Sequence, residues 1–203
     1  LVTAGFRDLL LLQRHDRRQI YDLHYRKPEP VVARRDTFEL SERVLADGSV
    51  LEGLDEKDLL GRVLPALRQG GYEAIAVCLL NAYVNPAHER RVAELLEREL
   101  AGTLVTCSHD VSRVFREYER ASTTTLSAFV QPVIDRYLGA FERRLQEQGF
   151  AGRFSVMQSN GGRLPASAMR KSAITALFSG PAAGVVGAVR QAARSDFHDL
   201  ITF

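Results

Sequence analysis

The run Ala74-Ile75-Ala76-Val77-Cys78-Leu79-Leu80 is apolar at every position. With no polar alternation it has no face for water, so it predicts a strand covered on both sides, as in a parallel sheet flanked by helices. The flanking segments agree. Asp55 is placed to cap a helix that carries Leu59, Leu60, Val63, Leu64 and Leu67 on one face, and Gly70-Gly71 ends it. Asn85-Pro86 opens a second helix with Val92, Leu95, Leu96 and Leu100 facing inward, and Thr103 to Cys107 form the next strand. Strand and helix alternating at this spacing predict right-handed crossovers and largely parallel pairing.

The rest of the chain is read around that unit. Leu1 to Thr3 resemble a strand end, and Gly5 to Arg14 a short helix. Arg26-Lys27-Pro28-Glu29-Pro30 forbids regular helix, since each proline removes an amide donor and biases its predecessor to extended geometry. An extended β excursion on the surface is expected there, with a hairpin about Asp47-Gly48. A long helix runs from about Arg116 to Gln148. Its apolar face is read as Leu126, Phe129, Val130, Val133, Ile134, Tyr137, Leu138, Phe141 and Leu145, and Pro132 should kink it. Phe154 to Gln158 are expected to join the same sheet as residues 74–80 and 103–107. Asn160-Gly161-Gly162 then makes a turn and Ala166 to Lys171 a short helix. Ser179 caps a last helix rich in small residues, Pro181 suits its first turn, and Asp199 to Phe203 read as the opening of a strand. A buried strand that stops without a turn points to a fragment.

Composition narrows the function classes. The 203 residues carry 27 basic and 25 acidic side chains, interleaved, for a net charge of +2. That leaves no basic stripe for nucleic acid. The longest apolar run falls well short of the roughly 20 residues that span a bilayer. Cys78 and Cys107 lie far apart in aliphatic runs and read as buried free thiols, which fits a reducing cytoplasm.

Several groups are candidates for chemistry, and none is assigned as catalytic. Gly180, Gly184 and Gly187 lack the lysine of a phosphate loop and the spacing of a dinucleotide fold. Small residues at this spacing let a helix approach another backbone, yet the free amides near Gly180 to Ala183 also make a modest anion site. Asn160, Gly161 and Gly162 follow a strand, at the edge where α/β sheets gather ligands, or they form a plain turn. Arg116, Glu117, Glu119 and Arg120 have helical ion-pair spacing on a solvated face. The hydroxyl run Ser122 to Thr125, a poor choice for a helix, leaves contact with a cleft as the alternative. His15, His24, His88, His109 and His198 assemble no metal motif. His109, after a strand, is the one placed for acid/base work.

Five blocks fall in order along the chain. They are Leu1-Val2-Thr3-Ala4-Gly5-Phe6-Arg7-Asp8-Leu9-Leu10, Asn85-Pro86-Ala87-His88-Glu89, Arg116-Glu117-Tyr118-Glu119-Arg120-Ala121-Ser122-Thr123-Thr124, Gln158-Ser159-Asn160-Gly161-Gly162 and Ser179-Gly180-Pro181-Ala182-Ala183-Gly184. Together they resemble the hydantoinase A/5-oxoprolinase family of ATP-dependent amidohydrolases. The resemblance implies an actin-like, RNase H-like α/β lobe over residues 1–178, then an interlobe helix and the first strand of an ATPase lobe over residues 179–203. It implies ATP and magnesium in the parent protein, with Ser179, Gly180, Pro181 and Gly184 near nucleotide. Asn160, Gly161, Gly162, Arg116, Glu119, Arg120 and His109 would line the cleft. It implies a cyclic amide substrate, such as 5-oxoproline or a hydantoin, and a second subunit or domain of the hydantoinase B type. The phosphate hairpins would lie outside this segment, so the isolated chain is expected to be inactive and to bind no nucleotide. A noncatalytic scaffold with an actin-like lobe and an acetone-carboxylase-type subunit are the alternatives.

Overall fold

A computed structural model describes residues 1–14 and 19–202, so His15 and Phe203 lie outside the described residues. The chain divides into two compact units, Leu1–Phe129 and Val130–Phe203.

The first unit opens with β1 (Val2–Thr3), α1 (Leu9–Leu12), β2 (Glu39–Leu40), β3 (Arg43–Val44) and β4 (Val50–Glu52). Residues 26–33, with their two prolines, hold no regular structure, as expected. β3 and β4 pair antiparallel about Asp47-Gly48. Next come α2 (Glu56–Asp58), a π-helical segment (Leu59–Val63), α3 (Leu64–Gly70), β5 (Ala74–Val77), α4 (Ala87–Glu99), β6 (Leu104–Cys107), α5 (Ser108–Val111) and α6 (Glu117–Glu147). The Asp55 side chain caps α2 by accepting from the Asp58 amide at 3.0 Å. Pro65 follows the π segment; its ring crowds the carbonyl four residues earlier, and a widened turn relieves that crowding. Gly71 ends the helix in the left-handed region, with φ 61°.

Within the first unit parallel pairing dominates, as the alternation predicts. β1 pairs β2 and β5 pairs β6, both parallel, and a parallel bridge between Val2 and Cys78 joins the two ladders. Leu59, Val63, Leu64 and Leu67 from one helical face meet Ile75, Val77, Val92, Leu95 and Leu96 in one buried cluster. At about 1.5–3 kcal/mol for each fully buried aliphatic side chain, this cluster is the main stabilising element of the unit.

α6 continues through Pro132 as helix. Its inward face differs from the expected one. Arg120, Ala121, Thr124, Ser127, Ala128 and Gln131 are buried, whereas Phe129, Val133 and Tyr137 stand 77%, 59% and 62% exposed. The periodicity was correct and the expected face holds at Ile134 and Leu138, but toward the start of the helix polar side chains such as Arg120 and Thr124 take the interior.

The second unit holds the remainder of α6, β7 (Ser155–Met157), β8 (Arg163–Pro165), α7 (Ala166–Lys171) and α8 (Ser179–Arg194). Its core gathers Leu138, Ala166 and Met169, with Ile134, Phe154 and Leu164 packed around them. The expectation that Phe154 to Gln158 join the β5–β6 sheet is overturned. β7 spends its ladder bonds on β8 in an antiparallel hairpin. The turn explains why: Asn160 Oδ1 accepts from the Gly162 amide at 2.8 Å, and Gly161 takes φ 83°, which only glycine adopts cheaply. Asp199 to Thr202 form no strand and are exposed; a strand needs a hydrogen-bonded neighbour, and no described residue pairs with them. No helix among the described residues is long and apolar enough to cross a membrane.

Candidate functional site

The carboxyl edge of the parallel sheet collects the buried polar side chains of the first unit. Thr3 ends β1, Leu79 and Leu80 follow β5, and Ser108 and His109 follow β6. Glu89, on the inward face of α4, is the hub. Its Oε1 accepts from the Leu79 amide at 2.8 Å and from Ser108 Oγ at 2.6 Å. Its Oε2 accepts from the His109 amide at 3.0 Å and from His109 Nδ1 at 2.7 Å. Four donors satisfy a carboxylate with no exposure at all.

Arg120 of α6 completes the arrangement. Its Nη1 lies 3.8 Å from Glu89 Oε1 and donates to Ser108 Oγ. Its Nη2 donates to the Leu79 carbonyl at 2.7 Å and to Glu117 Oε2, and its guanidinium sits 5.7 Å from the Tyr83 ring centroid. The Arg120 side chain is wholly buried, and its Nε has no hydrogen-bond partner among the described residues. A neighbouring set repeats the theme: Thr3 Oγ1 donates to Glu42, whose Oε2 stands 2.7 Å from His88 Nδ1.

Glu89, Cys107 and His109 bring possible metal-ligand atoms within 4.8 Å of one another. The trio is better described as part of the ion-pair network. Both Glu89 oxygens already hold two donors, and Arg120 supplies positive charge beside them. Burial also keeps the Cys107 thiol well above its usual range, opposing the thiolate a metal needs.

The candidate residues read from sequence fall in two sets. In the first unit, His109 and Arg120 belong to the buried network. The expectation that the Arg120–Glu117 pair lies on a solvated face is corrected, because Arg120 is wholly buried and Glu117 keeps only 19% of its side-chain surface. Arg116 is exposed, 4.0 Å from Glu119, and Glu119 also pairs with Arg14. The hydroxyl run has a local explanation: Thr123 and Thr124 donate to the carbonyls of Glu119 and Arg120, each at 2.7 Å, so neither hydroxyl needs a cleft.

In the second unit, the Asn160-Gly161-Gly162 turn is brought against α8, where a Cβ on Gly161 would lie 3.2 Å from Val186. Ser179 is the first residue of α8 and not its cap. Phe178 takes the cap position in the left-handed region, φ 57°, and no side chain caps the helix. A Cβ on Gly180 would meet nothing within 4 Å. Gly184 lies a turn further in, where a helical amide is already bonded to the carbonyl four residues back, so it offers a bare surface.

Glu89, Ser108 and Tyr83 were not singled out from sequence. Glu89 carried a signal: with Val92 and Leu96 it keeps the inward register of α4, so its carboxylate had to be buried and paired.

Two solved structures share this architecture over almost the whole chain. The ATP-dependent caprolactamase of Pseudomonas jessenii matches with a TM-score of 0.80 and 30% identity, over 95% of this chain and 28% of that one. The nucleotide-free acetone carboxylase matches with a TM-score of 0.78 and 28% identity, over 96% and 29%. The chain is thus an α/β protein of the actin-like class. The model of the hydantoinase/oxoprolinase N-terminal region matches residues 1–100, and the hydantoinase/oxoprolinase model matches residues 120–203. The chain belongs to the hydantoinase/oxoprolinase family. Among relatives, 5-oxoprolinase 1 of Arabidopsis thaliana is 34% identical over 92% of this chain and 16% of its own length. The caprolactamase subunit alpha is 32% identical over 80% of this chain and 23% of its own length. The chain therefore spans less than a third of each of these relatives.

Proposed function

We propose that this chain forms part of an ATP-dependent enzyme that opens cyclic amides. The observation that carries this reading is the match to the ATP-dependent caprolactamase over 95% of the chain. Residues 1–178 would supply the amino-terminal lobe, and residues 179–203 the crossing into an ATPase lobe. An unactivated amide resists water, and ATP with magnesium supplies a phosphoryl group that activates its oxygen and a cation that offsets the charge.

The chain's own residues bind and orient. The uncapped amides at Ser179 and Gly180 would receive phosphate oxygens; Pro181, which has no amide hydrogen, would only set the helix direction. Gly184 would keep that face bare for another backbone. The Asn160-Gly161-Gly162 turn would support the middle of α8, where Gly161 approaches Val186. The buried network, His109 included, would fix the carboxyl edge of the first unit, with Arg116 and Glu119 beside it. The substrate is expected to be a small cyclic amide, the partner a hydantoinase B-type subunit or domain, and the location cytoplasmic.

The match to acetone carboxylase favours one second reading, a carboxylase subunit acting on a ketone. A substrate panel with the full-length protein separates them. Release of ADP with caprolactam, 5-oxoproline or hydantoin supports ring opening. Release only with a ketone and bicarbonate supports carboxylation, and none with either class supports a scaffold. The isolated 203 residues should neither bind Mg-ATP at micromolar concentration nor turn over, since one helix start leaves most phosphate oxygens without donors.

A further inference from the structure

The network of the first unit is closed to solvent at four members and open at the fifth. The Glu89 and Arg120 side chains are fully buried, Ser108 is fully buried, and His109 is 4% exposed, whereas the Glu117 side chain keeps 19% of its surface. Glu117 Oε2 accepts from Arg120 Nη2, and the Asn81 backbone amide also bonds to this carboxylate.

Arg120 cannot swing away from that contact. The Leu79 carbonyl, Ser108 Oγ, Glu89 and the Tyr83 ring hold its guanidinium from the other sides. A glutamate side chain normally samples many rotamers, and ordering one at a surface returns little by itself. Here the ordering is achieved from inside, through a buried guanidinium. Glu117 also begins α6, and it lies with Leu79, Asn81 and Ser108 at the carboxyl edge of the parallel sheet, where α/β proteins meet their ligands. Burial pushes its carboxyl above the ordinary range despite the opposing pull of Arg120.

We propose that Glu117, held by Arg120, determines substrate specificity by accepting a hydrogen bond from the ring N–H of a cyclic amide. This rests on the ring-opening reading above. A cyclic amide offers two handles on neighbouring atoms, the carbonyl oxygen and the N–H. Activation consumes the oxygen, so the N–H remains for recognition. A carboxylate is acceptor-only and so distinguishes an N–H from an N-methyl group. Arg120, Glu89 and His109 are too buried to touch the substrate, which makes them positioning residues.

The test uses the full-length protein with any partner subunit it requires. kcat/KM is measured for a lactam and for its N-methyl counterpart, beside circular dichroism of each variant. The wild type should favour the N–H lactam by about 10- to 100-fold, the worth of one hydrogen bond to a charged group. Glu117→Ala should abolish that preference by lowering turnover of the N–H lactam alone. Glu117→Met keeps the side-chain volume and should do the same, which covers the case in which the alanine variant folds poorly. Glu117→Gln retains a carbonyl acceptor and should keep part of the preference, since a neutral acceptor is weaker. A wild-type preference that survives in folded Glu117→Met overturns the proposal and leaves the ring-opening reading intact. A wild type that turns over no cyclic amide overturns both.

Discussion

Glu89 Oε1 and Arg120 Nη1 stand 3.8 Å apart, on α4 and α6, with neither side chain exposed to solvent. The two residues lie thirty-one positions apart in sequence and bridge two helices, and their hydrogen bonds reach the segments that follow β5 and β6. Removing one member would strand the other in a dry interior, and a buried charge without its partner is strongly destabilising. Glu89→Ala should therefore cost about 3–5 kcal/mol. Glu89→Gln should cost less, about 1–3 kcal/mol, because its amide would turn an N–H₂ toward groups that are themselves donors. Urea unfolding followed by far-ultraviolet circular dichroism measures both. A cost below 1 kcal/mol for Glu89→Ala would show that the network adds little.

The two thiols should be inert in the folded chain. Burial pushes Cys78 up to about 12, and Cys107 is raised further by burial and by the Glu89 charge. The thiolate is the reactive form, so near-neutral alkylation by iodoacetamide should be slow for both until urea unfolds the chain. Mass spectrometry of native and unfolded samples reads this directly. Rapid native labelling of either residue would contradict its placement.

Glu117 gives a pH dependence with a definite sign. Burial raises its carboxyl above the ordinary 4.5 in the folded chain, so the folded state holds that proton more tightly than the unfolded one. Ionising Glu117 then costs stability: nothing below 4.5, rising through the window above it, and fully present beyond the folded pKa. The wild type should lose stability relative to Glu117→Gln as pH rises through that window. Unfolding free energies of the two proteins at a series of pH values test this. A difference that does not change with pH would contradict it.

The apolar rhythm from Asp55 to Cys107 made the parallel core legible, since uninterrupted strands and one-sided helices have few other ways to bury their faces. The caps were legible where side chain and spacing agreed, as at Asp55 and Gly71. Two features were not. The inward face of α6 is built from Arg120, Thr124, Ser127 and Gln131, and polar residues can be buried only when their partners are present. The partners of Arg120 lie on α4 and after β5 and β6, a pairing that local periodicity does not encode. β7 failed for a related reason, since an apolar run does not specify its neighbour. The Asn160-Gly161 turn, already recognised, returned it onto β8. At α8 the serine suggested a cap, but the chain reversed one residue earlier, at Phe178.

The central claim is best tested by the coupling of nucleotide to ring opening in the full-length protein. Purified protein, with its partner if one is required, is given Mg-ATP and a cyclic amide, and ADP and the ring-opened product are quantified together. Ring opening that depends on ATP, with ADP and product formed in equal amounts, is the predicted result. Ring opening at the same rate without ATP, or ADP formed only with a ketone and bicarbonate, would contradict it.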